Sequence, residues 1–434
     1  MIRSSSGTLQ RTYANQLRLS MDGEPVTVLG WVMATRTHGK IAFLTLRDKT
    51  GTVQIVAKKG SCSDATMSAI SDIKIHSSVS VNGLVKMTDK APCGVEVVLS
   101  NLRILSPATA TPPFEPQAKT VKNIDTRLTV RSIDLRRDAL WHVFQARSRL
   151  LYAVRGDLHN SGFTEISTPK MISTATEGGA ALFPIFYYNK QAFLAQSPQL
   201  YKEQLVMSFE SVFEIAPIFR AESSRTNRHL AEAISIDIEN AFADYGDIMD
   251  IVEDIISISI KTVSEYAMES GAEMTIPKMP SQIPRHSYSD IVSKLQDAGS
   301  TVQWGDDLYP QMLRKAGLKN FYFITDWPLG PKPFYVKVSK SDPRLSESFD
   351  LMFDDLEISS GSTRIEEREE LEARMKNKGM DAGQFEYHLR AFDFGMPPHA
   401  GCGIGLERLM MALTGIENIR DATFYPRDAD RLTP

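Results

Sequence analysis

No apolar stretch in these 434 residues approaches the roughly 18 consecutive residues that a membrane-spanning helix requires. The N-terminal "MIRSSSGTLQRTYANQ" also lacks the apolar segment of a secretory leader. Neither a membrane protein nor a secreted one is therefore expected. Cysteine is scarce: Cys62, Cys93 and Cys402 are scattered and odd in number, which speaks against a disulfide framework or a zinc site and for reduced thiols in a cytoplasm. An excess of positive charge is missing too. With 49 Lys and Arg against 53 Asp and Glu the net charge is −4, so any nucleic-acid surface must be a local patch. Repeats and low-complexity segments are absent. What remains, 42% hydrophobic and 24% charged residues, describes a globular chain, and one too long for a single ordinary core.

Residues 25 to 105 read as all-β. "PVTVLGWVMATR", "KIAFLTLRD", "GTVQIVAKK", "SSVSVNGLVKM" and "GVEVVLSNLRIL" are β-branched, partly alternating runs broken by turn residues. Between the third and fourth lies "SDATMSAISDIK", with Met67, Ile70 and Ile73 at helical spacing. Five strands with a helix after the third is the order of an OB-fold barrel, whose open face commonly binds single-stranded nucleic acid; a barrel used only for packing is the alternative. Residues 1–106 are assigned to this domain. The proline-rich "SPATATPPFEPQAKT" opens a linker over 107–137. From 138 to 434 the pattern is α+β. Leu140, Val143, Phe144, Leu150, Leu151, Val154 and Leu158 form one helical face that Gly162 ends, and 246–266 reads as a long amphipathic helix. Strands such as "FYVKV" and "SVFEIAPIFR" do not alternate regularly with helices, so an antiparallel sheet flanked by helices is expected.

One hairpin carries unusual charge. In "FRAESSRTNRHLAEAISIDIE" a strand ends at Arg220 and Glu222, a polar loop follows, and a second strand alternates Ser235, Asp237 and Glu239 with Ile234, Ile236 and Ile238. A sheet face bearing Arg, Glu, Asp and Glu is costly if buried without partners. Near the C-terminus, "PPHAGCGIGLERLMMAL" leads three glycines into an apolar helix with Arg408 in its first turn, where the helix dipole disfavours a cation. A bound polyphosphate or adenine would account for both features, whereas the glycine spacing does not fit a dinucleotide fingerprint.

"FRAE" with "RHL", and then "GIGLER", resemble motifs 2 and 3 of the class II aminoacyl-tRNA synthetases (about 211–240 and 401–415). "GFTEISTPKMI" resembles the end of motif 1 (about 145–171), which in that family forms a dimer interface. "QSPQLYK", "EGGA" and "GMPPHAG" are similar to the aspartyl/asparaginyl subgroup in its archaeal and eukaryotic form. The resemblance spans the chain and implies a homodimer that activates an amino acid with ATP and Mg²⁺ and passes it to tRNA.

By that resemblance, Arg220 holds the α-phosphate and the reacting carboxylate, and Glu222 reads the adenine. Arg228, His229 and Leu230 belong to the ATP site with Gly405, and Arg408 stacks on adenine and reaches the γ-phosphate. Glu357 and Ser360 in "LEISSG", with Glu239, hold the metal, oxygen donors being what a hard cation takes. Aspartate would be bound by Glu177, Gln199, Lys202, Arg220, Asp237, Ser360 and Arg364, Glu177 taking the ammonium and Lys202 with Arg364 the side-chain carboxylate. Asparaginyl enzymes share the arginine but typically carry an apolar residue in place of Lys202 and Glu in place of Asp237, so both positions favour L-aspartate. One departure is "GSTR" where the family usually reads "GGQR".

In the barrel, Arg36, Phe43 and Gln54 match positions that stack and hydrogen-bond anticodon bases, which is how single-stranded loops are read. Discriminating members carry Trp and Lys at two barrel positions that match Met33 and Pro92. Non-discriminating members often have proline at the second but histidine at the first. Proline offers no donor there, which implies that tRNA(Asn) is charged alongside tRNA(Asp). The rivals are an asparagine–tRNA ligase, an ATP-dependent asparagine synthetase on the same core, and a tRNA-binding paralogue without catalysis.

Overall fold

The computed structural model describes residues 11–60, 62–91, 94–118, 122–174, 182–221 and 226–433. Contacts divide the chain into two compact units, Met1–Pro113 and Phe114–Pro434.

The first unit is a closed barrel of β1 (Pro25–His38), β2 (Ile41–Asp48), β3 (Gly51–Lys58), β4 (Ser78–Met87) and β5 (Val95–Ser106), in the order β1-β2-β3-β5-β4. Helix α1 (Asp64–Asp72), capped by Ser63, lies between β3 and β4, as expected from the Met67 and Ile70 spacing. The 14-residue β1 serves two neighbours: Pro25–Trp31 pairs with β4 and Trp31–His38 with β2. Its register slips at Met33, a bulge that lets one strand turn the barrel's corner. Alternation does the rest, sending Ala42, Leu44 and Leu46 inward and leaving Phe43 and Thr45 half-buried on the outer face.

The second unit opens with α2 (Ile124–Leu128) and α3 (Arg131–Asp134), in a stretch whose composition suggested only linker. Both helices are fastened by charge. Arg127 pairs with Asp134 and Asp421, and the fully buried Arg131 pairs with Asp134 and donates to the carbonyls of Arg420, Thr423 and Phe424. There follow α4 (Asp138–Asn160), β6 (Thr164–Glu165), β7 (Met171–Ile172), β8 (Pro184–Tyr187), β9 (Lys190–Leu194) and α5 (Gln199–Phe209). Next come β10 (Ser211–Phe219), β11 (Glu232–Ala241), α6 (Tyr245–Ser270), β12 (Arg285–Ser287), α7 (Tyr288–Asp297) and α8 (Pro310–Lys315). The chain ends through β13 (Phe321–Thr325), β14 (Ser348–Phe353), β15 (Leu356–Thr363), α9 (Arg368–Asn377), α10 (Glu386–Phe392), β16 (His399–Gly405) and α11 (Leu406–Thr414).

Eight of these strands form one sheet in the order β12-β13-β14-β15-β16-β11-β10-β6. The sequence suggested an antiparallel sheet, and the six inner strands comply. The sheet is nonetheless mixed, because β6 pairs parallel with β10 and β12 parallel with β13. Parallel neighbours require a crossover, and helices intervene at those two places: α5 before β10, and α7 with α8 before β13. "FYVKV" makes isolated bridges at Val336 and Val338 rather than a strand. Pro331 and Pro333 just before it lack the N–H that a ladder needs. One face of the sheet is apolar and buries Ile236, Ile238, Leu351, Ile358, Cys402 and Ile404 with the inward faces of α4, α6 and α11. The other face is polar.

Candidate active site

The polar face follows from strand register. Asp350 on β14 stands opposite Ser360 on β15, Ser360 opposite Gly403 on β16, Gly403 opposite Asp237 on β11, and Asp237 opposite Glu214 on β10. A second row runs Ser348, Ser362, Gly401, Glu239. Because side chains alternate, each row shares a face while its apolar neighbours point to the core. The glycines make room for the acids. A Cβ on Gly401 would lie 2.1 Å from Glu239 Oε2 and 2.2 Å from the Ile238 carbonyl oxygen.

Above these rows lies a cavity of about 310 Å³. Arg220, Arg228, His229, Leu230, Glu357, Gly405 and Arg408 line one part of it, and Gln199, Asp237, Ser360 and Arg364 another. Eleven of the residues singled out from sequence thus meet around one space. Glu177, Glu222 and Pro92 lie outside the described residues.

The buried layer beneath the cavity is a charge network. Arg364 Nε donates to Glu239 Oε1 at 2.8 Å, Nη2 to Oε2 at 3.2 Å, and Nη1 to Ser362 Oγ at 2.6 Å. Lys202 Nζ lies 3.1 Å from Asp237 Oδ1 and 3.2 Å from Glu239 Oε2, and donates to the carbonyls of Cys402 at 3.0 Å and Ile238 at 3.2 Å. Burial by itself lowers the affinity of both cations for their protons, but the carboxylates outweigh it and raise both pKa values. Two positions therefore differ from expectation. Glu239 does not face the cavity as a metal ligand: it is fully buried, with both oxygens engaged by Arg364 and Lys202. Lys202 lies one layer below the cavity, under Asp237.

The nucleotide end is more open. Arg220 follows β10 directly, and its backbone N–H bonds to Ala231 across the hairpin at 2.9 Å. Arg228 makes a two-point contact with Asp355, 2.9 Å to the carboxylate and 3.0 Å to the carbonyl. His229 Nδ1 meets Thr226 Oγ1 at 2.5 Å. Arg408, in the first turn of α11, reaches back to the Glu357 carbonyl at 3.0 Å and its carboxylate at 3.4 Å. Its neighbour Glu407 instead points inward, bonding Arg147 at 3.0 Å and the Ile234 N–H at 3.0 Å, which ties α11 to α4 and β11.

Asp350 escaped the sequence reading. It is buried beside Ser360, and its carboxyl is pushed up by burial, a shift that Lys332 opposes and Glu357 reinforces. The signal was present: Ser348 and Asp350 alternate with Phe349 and Leu351 in "SFDLMF", the pattern that had marked "SIDIE". Among the described residues no three of His, Cys, Asp and Glu gather as a metal site. Asp350, Glu357 and Ser360 nonetheless offer hard oxygen donors: Glu357 and Ser360 line the cavity and Asp350 lies buried opposite Ser360, a set that suits a divalent cation drawing its other ligands from phosphate.

On the barrel, Arg36 and Phe43 face each other across β1 and β2, the guanidinium 5.8 Å from the ring centroid. Gln54 is half-buried and donates to Glu96 at 3.1 Å. Phe43 is thus not barrel core. Met33 is buried at the bulge.

Residues 123–429 match the model of the class II tRNA synthetases (D, K and N), and 26–105 that of the OB-fold nucleic acid binding domain. The chain is 43% identical to an aspartate–tRNA(Asp/Asn) ligase of Methanothermobacter thermautotrophicus over 99% of each chain. It is 44% identical to an aspartate–tRNA(Asp) ligase of Pyrobaculum aerophilum over 96% of this chain and 97% of the other. Among solved structures, the asparaginyl-tRNA synthetase of Pyrococcus horikoshii complexed with asparaginyl-adenylate superposes with a TM-score of 0.94 at 32% identity, covering 98% of this chain and all of that one. The paired polar rows and the motifs at their ends have a family to belong to: this chain is a member of the class II tRNA synthetases of the D, K and N group.

Proposed function

We propose that the chain is an aspartate–tRNA ligase, working as a cytoplasmic homodimer and charging tRNA(Asp) and tRNA(Asn). The observation that carries this reading is the buried pair of cations, Arg364 in the wall at one end of a cavity and Lys202 one layer beneath it, with Arg220, Arg228, His229 and Arg408 gathered at the other end. The names of the aspartate–tRNA relatives support it.

In the first step an oxygen of the aspartate α-carboxylate attacks the α-phosphorus of ATP, and pyrophosphate leaves with the electron pair of the broken P–O bond. In the second, the terminal ribose hydroxyl of tRNA attacks the adenylate carbonyl and AMP leaves. The protein supplies position and charge rather than covalent chemistry. Arg220 neutralises the α-phosphate as it gains its fifth ligand. Arg228, His229 and Arg408 hold the β- and γ-phosphates, for which Arg228 exchanges its contact with Asp355. Mg²⁺ held by Asp350, Glu357 and Ser360 would add further neutralisation of the phosphates. Arg364, locked by Glu239, presents its positive charge at the cavity wall to the side-chain carboxylate. Lys202 acts from below, pairing with Asp237 and Glu239 and so balancing the charge of the layer beneath the pocket. On the barrel, Arg36, Phe43 and Gln54 receive the anticodon, with Met33 and Pro92 beside the third base.

ATP–pyrophosphate exchange with each amino acid, followed by charging of both tRNA transcripts, tests the proposal. Aspartate should drive exchange and asparagine should not, and both tRNAs should accept aspartate. Exchange with asparagine alone, or with neither, overturns the assignment. A preference for tRNA(Asp) above about a hundredfold overturns only the relaxed anticodon reading.

A further inference from the structure

A second buried polar pair lies behind the amino-acid end of the cavity and does not line it. Helix α5 buries Gln199, Lys202 and Glu203 on one side. Lys202 turns to β11, but Glu203 turns to α10, where His388 Nε2 stands 3.2 Å from Glu203 Oε2. Both side chains are fully buried. His388 Nδ1 lies 3.2 Å from the Leu200 carbonyl and 3.3 Å from Gln204 Nε2. The other Glu203 oxygen accepts from Gln199 Nε2 at 2.6 Å, and Gln199 Oε1 in turn accepts from Arg364 Nη2 at 3.4 Å.

A carboxamide is nearly symmetric in shape, and only its hydrogen-bond partners decide which end is oxygen. Gln199 stands between a group that can only accept and a group that can only donate. Burial alone pushes the Glu203 carboxyl up, but the His388 hydrogen bond and the charges of His388, His399 and Arg364 outweigh it and hold it at about 2. Glu203 is therefore an acceptor at neutral pH, and the Gln199 oxygen is directed to Arg364 at the cavity wall. We infer that Glu203 and His388 are positioning residues that fix the polarity of the Gln199 carboxamide, so that its oxygen receives the α-ammonium of the amino-acid substrate. This rests on the ligase reading above. Fastening α5 to α10 would not by itself require the pair, because Leu200 already packs with Leu389, Phe392 and Met396. A buried polar pair is, besides, a weak stabiliser compared with apolar side chains of similar volume.

The test is E203Q, which keeps the shape and removes the acceptor-only character, with H388Q as a second variant. The KM for aspartate in pyrophosphate exchange should rise about tenfold in E203Q and less in H388Q, with the KM for ATP within about twofold. Succinate, which keeps both carboxylates of aspartate and lacks the ammonium, should inhibit wild type and E203Q about equally. The inference is overturned if the aspartate KM stays within about twofold, or if succinate weakens in step with aspartate, since either result makes the pair merely structural. Should E203Q not fold, H388Q decides by the same two measurements, and loss of folding in both overturns the positioning role. A wild-type enzyme without aspartate-dependent exchange would fail the ligase reading instead, before any variant is compared.

Discussion

Arg36 and Phe43 on the barrel and Arg364, Lys202 and Glu239 on the large sheet are all placed by strand alternation, but they are solvated very differently. The barrel's recognition face is open: Arg36 is exposed, Phe43 is half-buried, and their ordering costs little. The sheet's polar face is closed. Lys202, Arg364 and Glu239 are all but fully buried, and each makes a direct ion pair with an oppositely charged group of this network. A surface that reads bases through an open face can change residues without unsettling its core. A pocket that reads charge must first balance its own, so there recognition and stability are held by the same atoms.

The contrast can be broken first at Arg364. R364L leaves Glu239 with Lys202 alone and Ser362 without its donor. It should cost about 3–5 kcal/mol, read from the denaturation midpoint of the catalytic unit, and abolish aspartate activation. A loss below about 1 kcal/mol would mean that the closed face is slack. A smaller effect is expected from paired glycines. G401A drives a methyl against Glu239 and the Ile238 carbonyl and should cost about 1–3 kcal/mol. G405A, whose Cβ would find its nearest neighbour at 3.8 Å, should stay within about 0.5 kcal/mol. Similar values for the two would remove crowding as the reason for glycine on β16. The smallest stability change belongs to the barrel. F43A should shift unfolding by less than about 1 kcal/mol and leave pyrophosphate exchange intact, while the KM for tRNA rises about ten- to a hundredfold. An unchanged KM for tRNA would take Phe43 out of base stacking.

Much of this was legible in one dimension. The β10–β11 hairpin, the faces of α4 and α6, the helix after β3 and the "GIGLER" turn are all local patterns, and a period of two or 3.6 residues reveals them. The partners were not legible. Nothing in "QLYKEQ" says that Lys202 will bond two β11 carboxylates or that Glu203 will meet His388 on α10, because those meetings depend on register and helix docking across distant segments. The same reason turned Glu239 from an expected metal ligand into the counter-ion of Arg364. Asp350 alternates with Phe349 and Leu351 as the β11 acids do with their isoleucines, so its face, though not its partners, is written in the sequence. The parallel edges of the sheet follow from crossovers that no single strand encodes.

Arg131 carries a consequence for how the molecule is made. The barrel's buried core residues fall between Leu17 and Leu99, so that unit is complete early in synthesis. Arg131, by contrast, finds its carbonyl acceptors 289 to 293 residues later in the chain. At roughly 5–20 residues per second, a ribosome would need about 15–60 s to deliver them. For that interval Arg127 and Arg131 have Asp134 but lack Asp421 and the C-terminal carbonyls that fasten α2 and α3. The barrel can fold while translation continues, but the catalytic unit must wait for its last strand and tail. A chain that stops short of Asp421 would thus carry a finished barrel joined to a catalytic half that cannot close.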